Sequence, residues 1–125
     1  MCGIVGIASN KNCIKHIVSG LKSLEYRGYD SSGIAFIENN NIKFKKNVGK
    51  IFGLEKKIIE KKIKGKTIIG HTRWATHGKP SLKNCHPFVK DNCALVHNGI
   101  IENYEEIVKK FSLKNQNIKS ETDTE

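Results

Sequence analysis

A chain of 125 residues with 38% apolar residues fits one domain with a modest core. Its formal charge of +10 rests on lysine, with Arg27 and Arg73 the two arginines, and a nucleic-acid surface usually leans on arginine forks, so the composition argues against a nucleic-acid partner. No apolar run is long enough to span a bilayer, and Met1-Cys2-Gly3-Ile4-Val5-Gly6 lacks the regions of a secretory signal. The expectation is therefore a cytoplasmic protein with reduced thiols at Cys2, Cys13, Cys85 and Cys93.

Cys2 to Ala8 is a short apolar run that predicts a strand at the N-terminus. Ile14, Ile17, Val18, Leu21 and Leu24 recur at three- and four-residue steps and predict a helix, with Asn12 as its cap and Gly28 near its end. Gly33 to Ile37 reads as a strand, Asn39-Asn40-Asn41 as a turn, and the alternation around Ile42 and Phe44 as the return strand. A second helix is expected from Lys50 to Lys62, weakened by Gly53. Lys66 to His71 predicts a strand, followed by a polar loop to Pro87. Cys93 to His97 reads as a buried strand, and Glu102 to Phe111 as a helix with Tyr104, Ile107, Val108 and Phe111 on one side. Repeats, linkers and a second domain are absent from the pattern, and the order of elements implies a layered α+β fold.

Cys2 carries the most chemistry. Its small side chain permits removal of Met1, which would leave a thiol and an α-amine on one residue. An amine of pKa about 7.7–8.0 can exchange a proton near neutrality, and a thiol of pKa about 8.5 is strongly nucleophilic. Arg73, at the end of a predicted strand, suits a small carboxylate, although a surface arginine fits the same pattern. Asn98-Gly99 could donate to an oxyanion, but taken alone it reads first as the favoured two-residue hairpin turn. Asp123 could hold an ammonium group, or sit in a capped helical turn running from Ser120. The spacing of Cys13, His16, Cys85, His86, Cys93 and His97 matches no paired zinc pattern, so neither metal nor cofactor is expected.

Taken together, five segments occur in family order: Met1 to Gly6, Leu24-Glu25-Tyr26-Arg27-Gly28-Tyr29-Asp30-Ser31-Ser32-Gly33, His71 to Gly78, His97 to Asn103, and Ser120 to Glu125. The chain resembles, from its first residue to its last, the glutaminase domain of the glutamine–fructose-6-phosphate aminotransferases. Tyr26 to Asp30 and Trp74 to Gly78 favour this family over related purine-pathway amidotransferases and asparagine synthetases.

The resemblance implies an N-terminal-nucleophile αββα sandwich of antiparallel sheets, of which residues 1–125 would be the front part. It implies that Cys2 attacks the side-chain amide of L-glutamine through a thioester, with Asn98 and the Gly99 N–H holding the oxyanion. Arg73 would pair with the substrate carboxylate, helped by Thr76 and His77, and Asp123 would take its ammonium. Trp74 belongs to a closing loop, and Arg27 supports the N-terminus. Ammonia would pass to fructose 6-phosphate on a sugar isomerase domain, absent here, in a homo-oligomeric parent. The fragment alone is not expected to make glucosamine 6-phosphate. Competing readings are another N-terminal-cysteine amidotransferase, a basic module binding polyanions, and a Cys2 that works with a histidine instead of its own amine.

Overall fold

The computed structural model describes residues 1–76, 78–112 and 118–125. Strand β1 (Gly3–Ala8) leads into helix α1 (Ile14–Ser23), then a single 3-10 turn at Glu25–Arg27. Strands β2 (Ser31–Glu38) and β3 (Asn41–Val48) form a hairpin, and helix α2 (Ile51–Glu60) returns the chain to β4 (Thr67–Arg73). Asn39 and Asn40 both have positive φ, at 51° and 59°, which suits the tight turn whose twist matches that of the flanking strands.

These four strands form one antiparallel sheet in the order β1-β4-β2-β3. α1 and α2 pack on one face, where Ile17, Leu21 and Leu54 meet Ile34, Phe36 and Ile68 in a single apolar cluster. Period-3.6 stripes on the helices and alternation on the strands put these side chains on facing surfaces, and each buried aliphatic contributes about 1.5–3 kcal/mol. Asn12 does not cap α1 as expected. Cys13 occupies the cap position, while Asn12 Oδ1 accepts from the N–H of Ile14 at 3.4 Å and of Gly65 at 3.0 Å, joining the helix start to the approach to β4. α2 runs through Gly53 because the Asn47 side chain lies against it, 2.4 Å from where a Cβ would stand.

A two-stranded sheet, β5 (Phe88–Lys90) and β6 (Cys93–Leu95), follows the long polar loop. Here the structure departs from expectation. The buried strand read at Cys93 to His97 is only three residues long, and Cys93 and Leu95 are exposed, because apolar composition cannot say what covers a strand. β5 had no sequence signal of its own. The last helix, α3 (Tyr104–Lys110), is shorter than predicted and buries none of its side chains among the described residues.

The loop before β5 crosses the sheet face opposite the helices, and Gly33 makes that crossing possible. A Cβ there would stand 2.1 Å from the carbonyl oxygen of His86, a backbone atom that cannot swing away. Gly33→Ala is therefore expected to destabilise the protein by about 1–3 kcal/mol or more, read as a lower urea midpoint at unchanged slope. An unchanged midpoint would contradict the close crossing.

Candidate active site

Antiparallel pairing of β1 with β4 sets Gly3 opposite Thr72, so the residue before β1 meets the residue after β4. The Trp74 N–H donates to Cys2 Sγ at 3.4 Å, and the sulfur lies 3.8 Å from the Trp74 carbonyl oxygen. Cys2 is half-buried, whereas Met1 is 74% exposed and open to removal. Arg73, the last residue of β4, is buried, and its Nη2 donates to the Gly78 carbonyl at 3.1 Å.

The segment from Arg27 to Asp30 braces this corner from below. Gly28 lies so close that a Cβ would come within 2.7 Å of the Arg73 carbonyl carbon and 2.9 Å of the Trp74 nitrogen. The Asp30 N–H donates to the Arg73 carbonyl at 3.0 Å, and its carboxylate accepts from the Ala75 N–H. Tyr29 meets Trp74 edge to face, with ring centres 5.5 Å apart. Arg27 reaches the terminus itself, its Nη2 lying 3.7 Å from the Met1 sulfur.

The facing wall comes from residues far along the chain. Asp123 is half-buried, with Oδ2 accepting from the Ile101 N–H at 2.7 Å. Asp123 lies in a turn that follows bends at 120–122, and this segment is tied to the polar loop by buried Asn84. Asn84 donates to Glu121 Oε2 at 2.9 Å and accepts from the Glu121 N–H at 2.9 Å, while Lys83 pairs with the same carboxylate at 3.0 Å. Asn98 and Gly99 do not form a hairpin turn; they follow β6 and lead toward α3.

A cleft of about 310 Å³ lies between the walls, lined by Cys2, Arg73, Trp74, Thr76, Asn98, Gly99 and Asp123. That volume suits a small ligand. A thiol, an arginine and a carboxylate around one cleft can receive a zwitterion and leave its side chain near the sulfur. His77 lies outside the described residues. A larger groove of about 610 Å³ between α1 and α2 has mainly apolar and lysine lining, with Glu55 its one carboxylate and neither a thiol nor an arginine on its walls.

Two residues at the site were missed by the sequence reading. His71 and His86 stack with ring centres 4.2 Å apart, His86 lining the cleft and His71 fully buried beside it. Burial pushes His71 down to about 4 and His86 down to about 3, with Arg73 nearby opposing a second positive charge. The one available signal was the placement of His71 two residues before Arg73, on the same face of β4. Among the described residues, no group of three or more His, Cys, Asp or Glu could hold a metal ion.

Comparison with known proteins gives a consistent result. Residues 1–125 match the family described as class-II glutamine amidotransferases. The chain is 54% identical over its whole length to the glutamine–fructose-6-phosphate aminotransferase (isomerizing) of Wigglesworthia glossinidia brevipalpis, and 52% identical to that of Clostridium perfringens. It covers 21% of each, so it spans about a fifth of the curated relatives it matches. Among solved structures, the allosteric regulatory enzyme of purine biosynthesis matches 98% of this chain and 27% of its own at 30% identity, with a TM-score of 0.77. The glutamine phosphoribosylpyrophosphate amidotransferase of B. subtilis, complexed with ADP and GMP, matches 94% of this chain and 25% of its own at 30% identity and a TM-score of 0.73. These likenesses bear out an α+β fold of the N-terminal-nucleophile type.

The two buried imidazoles predict an acid-sensitive fold. Unfolded histidine titrates near pH 6.5, whereas His71 and His86 resist protonation to about pH 4 and about pH 3. Below about pH 6.5 the unfolded chain therefore binds more protons than the folded one, and stability falls with acidification until the folded imidazoles titrate. Urea midpoints measured from pH 7 to 5 should decrease steadily; a flat profile would contradict the buried neutral pair.

Proposed function

The chain belongs to the class-II glutamine amidotransferases, and on that premise we propose that it is the front part of a glutaminase domain whose nucleophile is Cys2. The observation that carries this reading is the meeting of Cys2 with the corner at Trp74, in a cleft that also holds Arg73, Asn98, Gly99 and Asp123.

In this mechanism Met1 is removed, and the freed α-amine accepts the Cys2 thiol proton. The sulfur attacks the side-chain carbonyl carbon of L-glutamine. The developing oxyanion is held by the Asn98 side chain and the Gly99 N–H, donors fixed in place before charge appears. Collapse of the adduct expels ammonia, which leaves with the proton carried by the amine, and a glutamyl thioester remains. Water, deprotonated by the same amine, then attacks the thioester and releases glutamate and the thiol. Arg73 grips the substrate carboxylate with help from Thr76 and His77, Asp123 accepts its ammonium, Trp74 closes over it, and Arg27 steadies the terminus.

A histidine base for Cys2 is the weaker alternative. His86 Nδ1 accepts from the His97 N–H at 3.2 Å, and His97 Nδ1 meets the Thr124 hydroxyl at 3.1 Å, so both rings have other partners. The lengths of the relatives support a longer parent, in which ammonia passes to fructose 6-phosphate on a sugar isomerase domain and yields glucosamine 6-phosphate. We place that parent in the cytoplasm as a homo-oligomer. No helix among the described residues is long and apolar enough to cross a membrane.

Intact mass before and after an electrophilic glutamine analogue tests the nucleophile. The expected result is loss of Met1 and one adduct on Cys2, prevented by excess glutamine; retained Met1, or labelling spread over Cys13, Cys85 and Cys93, would sink the reading. Kinetics on the longest form of the protein separate the other roles. Asn98→Ala should lower kcat by about 10²–10³-fold with little change in KM. Arg73→Lys should act mainly on KM, because a point charge replaces a two-pronged fork. Reversal of these two patterns would reassign the residues.

A further inference from the structure

His97 precedes the Asn98-Gly99 pair, and its backbone N–H, its carbonyl and its ring Nδ1 are engaged. Its N–H donates to His86 Nδ1 at 3.2 Å, and its carbonyl accepts from His71 Nε2 at 3.0 Å. Its own ring meets the Thr124 hydroxyl at 3.1 Å, and that hydroxyl donates to Asp123 Oδ1 at 3.4 Å. The ring also lies against Gly99, where a Cβ would stand 2.7 Å from Nε2.

We propose that His71 and His86 are positioning residues, a neutral stacked pair that grips the His97 backbone by both its N–H and its carbonyl and so aims the Asn98 side chain and the Gly99 N–H at the reacting carbonyl. The inference rests on the glutaminase reading above. Each imidazole supplies one role: acceptor at His86 Nδ1, donor at His71 Nε2. A proton added to His86 Nδ1 would set N–H against N–H and release the His97 amide. The surroundings keep both rings neutral. His86 faces His71 and Arg73 of β4, Lys46 of β3, His97, and the edge of Phe88 in β5 at 4.9 Å. His71 faces Arg73, His86 and His97, and its Nδ1 is buried without a hydrogen-bond partner, as suits an unprotonated nitrogen.

Because it holds the residue that directly precedes Asn98, such a clamp acts on catalysis through direction. A misplacement of about 1 Å can cost about 10²-fold in rate, so loss of the grip should appear in kcat. Amide side chains provide the controls. Asn at position 86 can offer Oδ1 where His offers Nδ1, and Gln at position 71 can offer an Nε2–H donor, yet neither takes up a proton.

The test compares His86→Asn with His86→Leu, and His71→Gln with His71→Leu, in the longest form of the protein. Glutaminase kcat and KM are read beside Cys2 labelling and the affinity for an aldehyde analogue of glutamine, which forms a tetrahedral adduct with the thiol. The leucine variants should lose about 10²-fold in kcat with KM changed by less than about threefold, and the amide variants should recover kcat to within about tenfold of wild type. Should a leucine variant fail to fold, the amide variants still decide. They should bind the aldehyde with near wild-type preference over the product glutamate.

Leucine variants with wild-type kcat, or amide variants that lose the aldehyde preference, overturn the positioning role. A wild type that neither hydrolyses glutamine nor labels at Cys2 overturns the glutaminase reading and this inference with it. An active wild type with indifferent histidine variants overturns the positioning alone.

Discussion

The antiparallel pairing of β1 with β4 is the constraint from which the site follows. A terminus is ordinarily the least ordered part of a chain, because nothing beyond it shares the entropy cost of holding it still. Here the backbone pairing that starts at Gly3 and Thr72 fixes the chain from its third residue onward. The register then leaves no choice about neighbours. The sulfur of Cys2 falls beside the Trp74 amide, and the arginine ending β4 points into the same cleft. A slip of one residue would turn Arg73 to the helix face and Thr72 to the cleft, since successive side chains alternate across a sheet.

The two walls of the cleft are built on different principles. The wall at 73–75 is backbone packed against backbone, and it works because Gly28 lets one segment lie on another while Asp30 pairs with both ends of the corner. The wall at 97–100 and 121–124 is assembled by side chains that reach across long stretches of sequence, Asn84 to Glu121 and His97 to Thr124. The first is rigid by close contact. The second is only as firm as its hydrogen bonds, which are strong where they are shielded from water and cost most when one partner is lost.

Local pattern made the main sheet and its two covering helices readable. The stripe of Ile14, Ile17, Val18 and Leu21, the Asn39-Asn40 turn and the alternation through β3 each use a period that belongs to the element itself. The small second sheet and α3 were misjudged in extent or burial because burial depends on a covering layer. Leu95 is apolar yet 48% exposed. Of the site, Cys2, Arg73, Asn98, Gly99 and Asp123 were drawn together by motifs in family order, since no periodicity relates positions so far apart. The pairing of His71 with His86 escaped notice for a simple reason: their shared partner is the backbone of His97, and backbone atoms leave no letter in a sequence.

The same register also dictates an order of assembly. The β2–β3 hairpin closes over a two-residue turn, whereas β1 must wait for a partner that is made about sixty residues later. Closing so long a loop costs more entropy than closing a short one, so local elements form first and β1 docks near the end. During synthesis, the N-terminus is therefore free in solution while the hairpin and α2 are already forming. Until β4 has been made, the edge that β1 will occupy stays open, and the hairpin and α2 form without it.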